Sequence, residues 1–555
     1  MEHKEARMFC FQCQESSRNI GCTTVGICGK TAETSNLLDL LLFVTRGIAI
    51  YNQRLRRLLQ PSAPAERFIL DALFSSITNA NFDANSIENK IAKGYSIRKE
   101  LCNKLYLLND ITFLDSNLPI ECTMIISTKH IHNEWRDVGV LRNTDNDIRS
   151  LIELATCGIK GMAAYIEHAS NLDRSDTELL SFIEYALSET TREHISKEDA
   201  LNLVLEVGTY GTKAMKLLHD AHADKYGSCR ESIVPLSTGS KPGILVSGHD
   251  LRDLEDLLIE TKEHGIDIYT HCEMLPAFYR PYFKQFNHLR AHYGESWWKQ
   301  RDEFTTFNGP ILFTSNCIVP PLPGAQYKGR LYTTGSTGLP GAIHITDRQP
   351  NGRKDFSIII EHAKSCAAPT PVLSGEIKGG YSLDQIIDYK DKLISNIKSG
   401  AIRKFIVMAG CDGRTKSRSY YTQFANALPK DTIILTAGCA KFRYIKLPLG
   451  DINGIPRILD CGQCNDSYSI IQIAQELQEI YQTGSINTLP ISFNLAWYEQ
   501  KAIIVLLSLL SLGIRNIHIG PSLPAFLTPA IAKILTKEFG LAGISDVYSD
   551  VKHLG

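Results

Sequence analysis

The sequence predicts an α plus α/β multidomain protein, with an all-helical N-terminal domain over residues 1–226 followed by parallel α/β domains over 227–365 and 366–555. Three observations predict it. The chain, 555 residues long, exceeds what one ordinary hydrophobic core accommodates. Up to the 220s its apolar residues recur at three-and-four spacing, the mark of helices with a buried face. From about Gly227 short apolar runs end in glycine-rich or polar turns and alternate with stretches long enough for helices. That alternation is the signature of parallel sheets.

The helical part is carried by LLDLLLFVTRGIAIYNQRL, DIRSLIELATCGIKGMAAYIEHA and ALNLVLEVGTYGTKAMKLLHDAH. The strand-like runs are GILVSGHD, IDIYTHCE, PILFTSNC, KFIVMAGC, TIILTAGC and NIHIGPS, which together predict two Rossmann-like units. Between Ser365 and Gly380, CAAPTP and IKGGY resemble a linker. The longest greasy stretch, Ala502 to Ile514, reads as a buried helix because it falls short of the ~20 residues a bilayer requires. No fixed-period repeat, low-complexity tract or nucleotide-binding fingerprint is visible.

Composition narrows the function. The chain is 43% hydrophobic and 21% charged with a formal net charge of −1, so a nucleic-acid-binding surface is not expected. The opening MEHKEARMFCFQCQ has no apolar core of a secretory signal, and a cytoplasmic location is expected. In such a chain fifteen cysteines point to metal binding or catalysis before disulfides. Their placement decides, because a single buried cysteine often serves as a small hydrophobe.

Cys10, Cys13, Cys22 and Cys28 form Cys-x2-Cys-x8-Cys-x5-Cys, and Gly21, Gly26 and Gly29 allow the turns needed to wrap one centre. Thiolates suit both zinc and iron–sulfur clusters. Structural zinc usually shows matched Cys-x2-Cys pairs or histidine partners, so the uneven loops favour a cluster.

A second set is defined by position. His249, Glu273, Cys317, Cys411 and Cys439 each sit just past one of the strand-like runs. Ligand crevices in α/β sheets lie beyond the carboxyl ends of the strands. Cys464, in DCGQCND, and Glu499 with Lys501, in AWYEQKA, join from later loops and a helix start. Each has a duller reading taken alone. The histidine serves as a structural hydrogen-bonder, the two glutamates as first-turn acids, the cysteines as core fillers. Their shared location is what raises them together. Mixed sulfur, nitrogen and carboxylate donors favour a harder, incompletely shielded iron able to bind substrate, and Glu499, Glu273 or Lys501 can then supply protons.

The segments MFCFQCQE, GCTTVGICGKTAET, GILVSGHDL, YTHCEMLPA, NGPILFTSNC, FIVMAGCDGRTKSRSYYT, ILTAGCAKFRY, GQCNDSYS and AWYEQKA resemble the hybrid-cluster (prismane, hydroxylamine reductase) family, in the class with the short N-terminal cysteine motif. The likeness runs from about Met8 almost to the C-terminus. It implies a 4Fe-4S cluster on Cys10, Cys13, Cys22 and Cys28. It also implies a hybrid 4Fe-2O-2S cluster on His249, Glu273, Cys317, Cys411, Cys439, Cys464 and Glu499 at the junction of the domains. Cys411 matches the family's persulfide-bearing cysteine and Lys501 a residue lining the site. The implied activity is reduction of hydroxylamine to ammonia and water, and of nitric oxide to nitrous oxide. Catalysis is then expected to involve Glu499, Lys501, His249, Glu273 and Cys411, with electrons from an external reductase or ferredoxin and no membrane partner. Two other readings are a carbon monoxide dehydrogenase-like enzyme and a non-catalytic nitric-oxide sensor or nitrosyl-transfer protein. Cys272 and Cys461 depart from what the resemblance implies. With Cys102, Cys122, Cys157, Cys229 and Cys366 they are read as core residues.

Overall fold

The computed structural model describes residues 7–348 and 352–555. Six long helices build the first part: α1 (Ala32–Arg57), α2 (Ala63–Ser75), α3 (Ala84–Leu107), α4 (Asn146–Ser170), α5 (Thr177–Glu189) and α6 (Lys197–Tyr226). Each begins after a Thr, Ser or Asp whose side chain accepts a hydrogen bond from a first-turn amide: Thr31, Ser62, Asp83, Asp145, Asp176 and Ser196. Such caps satisfy amides that the helix itself leaves unpaired. Helix α6 stops at Gly227, whose φ of +80° turns the chain out of the helix.

Two parallel sheets follow. The first contains β2 (Gly243–Ser247), β3 (Asp267–His271), β4 (Leu289–His292), β5 (Ile311–Phe313), β6 (Leu331–Thr334) and β7 (Ile343–Ile345) in the order β4-β3-β2-β5-β6-β7. Helix α7 (Leu251–Thr261) makes the crossover from β2 to β3. The second contains β9 (Lys404–Val407), β10 (Thr432–Thr436), β13 (Ile458–Asp460), β14 (Ile491–Ala496), β15 (Ile517–Gly520) and β16 (Ala542–Gly543) in the order β13-β10-β9-β14-β15-β16. A small hairpin, β11 (Asp451–Ile452) with β12 (Ile455–Pro456), lies outside it. All pairings within both six-stranded sheets are parallel. Strands β2 and β10 are buried along their whole length, which is why GILVS and TIILT are continuous apolar runs rather than alternating ones.

Numbered within its own sheet, each reads third, second, first, fourth, fifth, sixth. The chain therefore reverses direction between its first and fourth strands, and a crevice opens beyond their carboxyl ends. Strand β1 (Ser232–Pro235) pairs antiparallel with β8 (Glu376–Gly379). The stretch that resembles a linker in sequence thus contributes a strand.

The greasy stretch after Ala502 is the body of helix α8 (Gln500–Ser511). It lies against α4 and α6, and their glycines set the approach: a Cβ on Gly161 would stand 2.5 Å from the Gln500 carbonyl oxygen, and one on Gly208 2.1 Å from that of Leu507. One apolar cluster runs from α1 through α4, α6 and α8 into the second sheet. Among the described residues no helix is long and apolar enough to cross a membrane.

Candidate metal centres

Register brings the first sheet's donors to one level. Ser247 lies opposite both His271 and Phe313, so His249, Glu273 and Cys317 leave three adjacent strands together. In the second sheet Val407 pairs with Leu435 and Phe493, and Thr436 with Asp460. Cys411, Cys439, Cys464 and Glu499 follow from those four strands. The pairs flanking each reversal are His249 with Cys317, and Cys411 with Glu499.

At these ends the backbone turns through positive φ: Gly248 at +116°, Gly410 at +111°, Gly438 at +89° and Gly462 at +133°, but also Cys272 at +52° and Cys317 at +76°. Gly410 has no room for a side chain, since a Cβ would lie 2.0 Å from the Ala496 carbonyl oxygen.

Hydrogen bonds join the two sheets across the crevice. The Gln463 side-chain amide donates to the carbonyls of His249 (3.2 Å) and Glu273 (2.7 Å), and the Cys464 amide donates to Glu273 Oε2 (2.7 Å). Lys501 Nζ donates to Asn316 Oδ1 at 3.0 Å, and the Tyr279 hydroxyl donates to Asp460 Oδ2 at 2.8 Å. His249 Nε2 stands 3.8 Å from Glu273 Oε2, and its Nδ1 is hydrogen-bonded to Ser315 Oγ at 2.7 Å. That second contact fixes the ring and leaves Nε2 facing the crevice. His249, Glu273 and Cys464 each offer a donor atom within 4.8 Å of the others. Glu499 caps α8 by accepting the Lys501 amide at 2.9 Å. All these groups are buried except Cys317, which is partly exposed.

The electrostatics fit a bound polycation. Burial pushes the His249 imidazole well below its usual range, with Lys501 and His168 adding to the effect, which favours the neutral ring that a metal would bind. Burial raises both Glu273 and Glu499, opposed at Glu273 first by Lys441 and at Glu499 first by Lys501. Burial also pushes the Cys317, Cys411 and Cys464 thiols far above their ordinary range. Three thiolates and two carboxylates therefore share this space only if positive charge joins them, and metal binding here would release protons. Glu273 Oε1 is buried without a hydrogen-bond partner, a donor atom aimed at nothing the chain supplies.

The N-terminal cysteines lie near one another in a single loop. Cys10 and Cys22 form a two-way backbone bridge (3.0 and 2.7 Å). The Cys13 thiol is raised first by burial and then by Cys28, Cys10, Glu15 and Cys22, the mutual repulsion expected of converging thiols. Gly26 passes so close that a Cβ would meet Cys28 Sγ at 2.9 Å. This loop is bolted to the other centre. The Gln14 amide donates to the Tyr498 carbonyl at 3.0 Å. The fully buried Arg418 donates to the carbonyls of Cys411 (2.9 Å) and Trp497 (2.7 Å) and to Gln14 Oε1 (2.9 Å).

Beside the loop a polar cavity of 270 Å³ is lined by Gln12, Asp39, Arg46, Glu153 and Lys160 among others, with Lys160 Nζ donating to Gln12 Oε1 at 3.1 Å. Burial pushes Asp39 up to about 7, against the pull of Lys160. Folded, this carboxyl keeps its proton to near neutrality; unfolded, it loses it near pH 4. Stability is therefore expected to fall between those pH values by on the order of 4 kcal/mol. Asp39→Asn should remove this part of the fall. Urea unfolding at pH 5 and pH 8 checks it, and equal losses in both proteins would refute it.

The sequence model of the Prismane/CO dehydrogenase family matches residues 8–552. The chain belongs to this family. It is 56% identical over 544 residues to a protein named hydroxylamine reductase from Bacteroides fragilis, covering 98% of this chain and 99% of the relative. A protein of the same name from Clostridium tetani is 49% identical over 567 residues, covering 98% and 99%. Among solved structures, carbon monoxide dehydrogenase IV from Carboxydothermus hydrogenoformans superposes with a TM-score of 0.56 at 17% identity, covering 98% of this chain and 92% of that one. The last likeness concerns the fold alone.

Several members of the site escape a sequence reading. Strand β14, which delivers Glu499, is hidden because ISFNLA alternates polar and apolar residues. Ser315, Asn316, Gln463, Arg418 and Lys441 have no motif of their own. For Ser315 and Asn316 the usable signal is their place beside Cys317, just past a strand end.

Proposed function

We propose that the chain reduces hydroxylamine to ammonia and water, taking two electrons from an external reductase or ferredoxin and two protons from its own buried groups. Reduction of nitric oxide to nitrous oxide at the same centre is part of the proposal. His249, Glu273, Cys317, Cys411, Cys439, Cys464 and Glu499 would hold a hybrid 4Fe-2O-2S cluster, with Cys411 as persulfide. Cys10, Cys13, Cys22 and Cys28 would hold the 4Fe-4S cluster that receives electrons. The observation that carries this reading is the buried set of nitrogen, carboxylate and sulfur donors gathered at the reversal points of two sheets, with Lys501 among them. Relatives named hydroxylamine reductase support the substrate.

Bound there, the cluster would supply electrons at an iron open to a small substrate. The chain's own part is protons and exclusion of water. Lys501 is fully buried. Burial alone would lower its pKa, but Cys464, Glu499, Cys317 and Glu273 together raise it, so it holds a proton at Nζ. Asn316 fixes that ammonium. One oxygen of Glu499 is engaged by the Lys501 amide. Between the centres the link is short: Cys13 is followed by Gln14, whose amide bonds the carbonyl just before Glu499. Trp297 packs on Tyr498 with ring centroids 4.7 Å apart.

The test is anaerobic purification, then iron and sulfide analysis, EPR across a redox titration, and turnover of hydroxylamine with a reduced donor. About eight irons per chain and two distinct signals are expected. Nickel or a single zinc would sink the proposal. Cys411→Ala should lose most of its turnover; full activity with both clusters intact would remove the persulfide from the mechanism.

A further inference from the structure

The polar cavity beside the cysteine loop is walled in part by two helices. Asp39 and Arg46 share one face of α1, and Arg149, Glu153 and Lys160 one face of α4, through the seven- and four-residue spacing of their positions. Asp39, Glu153 and Lys160 are 7%, 8% and 2% exposed. The three cations donate to neutral acceptors. Arg46 reaches the hydroxyls of Thr190 (3.0 Å) and Thr156 (3.4 Å), Arg149 the Asn143 carbonyl (3.0 Å) and the Asn146 side chain, and Lys160 the Gln12 side chain (3.1 Å). Among the described residues none of the three forms a salt bridge. Arg142 and Arg192 line the same cavity but are paired with Glu121 and Glu189. On the acid side, Asp39 Oδ2 is buried with no hydrogen-bond partner. Buried charges without close partners are costly to the fold.

Three cations against Asp39 and Glu153 leave one positive charge over even with both acids ionised, which favours an anion. The two carboxylates in turn need hydrogens to accept. We propose that this cavity binds a small oxyanion that still carries a hydrogen, of the hydrogen phosphate type: Arg46, Arg149 and Lys160 hold its charge, and Asp39 or Glu153 accepts its O–H. The 270 Å³ volume holds such an ion together with several waters.

The site reaches the N-terminal centre. Gln12 lies between Cys10 and Cys13, and its Oε1 accepts both Lys160 Nζ and, at 3.0 Å, Gln500 Nε2. An anion held by Lys160 adds negative charge beside the more negative, reduced state of that centre, so occupancy lowers its reduction potential. This coupling, unlike the binding, rests on the proposed ligation by Cys10 and Cys13.

The experiment is calorimetry of the iron-loaded protein with inorganic phosphate and with sulfate at pH 8, above the Asp39 transition. Phosphate is expected to bind with a Kd near or below ~1 mM. Sulfate has the same shape but no hydrogen to give, and should bind at least ~10-fold more weakly. Glu153→Gln supplies an amide donor and should narrow that gap; Arg149→Gln should weaken phosphate at least ~10-fold. No binding by the parent at about 10 mM phosphate, or undiminished binding by Arg149→Gln, would overturn the site. Equal affinity for the two anions in the parent, a comparison that needs no variant, would overturn the choice of ligand. In an EPR-monitored redox titration, saturating phosphate should move the N-terminal midpoint to more negative values; an unmoved midpoint in iron-replete protein would overturn the coupling. Failure of the ligation reads differently, as a parent protein without iron at the N-terminal centre.

Discussion

Lys501→Met is expected to lower turnover at least ~100-fold and to destabilise the metal-free chain by about 3–5 kcal/mol. The ammonium is buried among Glu499, Glu273, Cys464 and Cys317. Removing it strands two carboxyl groups already strained toward protonation by burial. Methionine matches the stem in length, so little of the effect arises from a cavity. Lys501→Arg separates charge from shape. It keeps the cation, but its planar fork is a poor fit for a fully enclosed slot that offers the Asn316 amide oxygen as its hydrogen-bond partner. Arginine should therefore recover part of the stability and little of the turnover. Denaturant melts of the metal-free proteins and kcat of the iron-loaded ones are the measurements. Parent-level turnover in Lys501→Met with full iron content would exclude Lys501 as a proton source.

The second large effect lies far from the chemistry. Gly208→Ala is expected to destabilise the chain by ~3 kcal/mol or more. Helix propensity alone predicts the opposite sign, since alanine gains up to ~1 kcal/mol over glycine in a helix interior. Overlap decides the outcome: the new methyl would stand 2.1 Å from the Leu507 carbonyl oxygen. Helices α6 and α8 must separate, and Glu499 and Lys501 sit at the start of α8. Denaturation midpoints should fall together with iron retention at the second centre, while the N-terminal centre keeps its iron. A variant as stable as the parent would show that the two helices are free to slide.

Much of the fold was legible because its signals are local. The runs GILVS, KFIV and TIILT coincide with β2, β9 and β10, and the helical segments fall within α1, α4 and α6. Doubly buried strands advertise themselves as unbroken apolar stretches. Edge strands do not: β7 is exposed at two of its three residues. The strand order is invisible in sequence because it depends on which crossover returns to which side. The partners of the site were hidden for the same reason. Gln463 reaches His249 across 214 positions, and no spacing rule carries that distance. Cys272 was read as core filling, and it lies buried in an apolar cluster that includes Leu275, Trp297 and Tyr498.

The paired reversal points have a consequence for how such a protein diversifies. Each donor stands two to four positions beyond a strand whose own residues make the core. Exchanging a donor therefore edits a tip and leaves the packing beneath it untouched. Because the tips come from two sheets, nitrogen, oxygen and sulfur donors can be traded one at a time, each a small step in metal preference. A scaffold of this kind separates inheritance of shape from inheritance of chemistry, and lets the second drift while the first is held fixed.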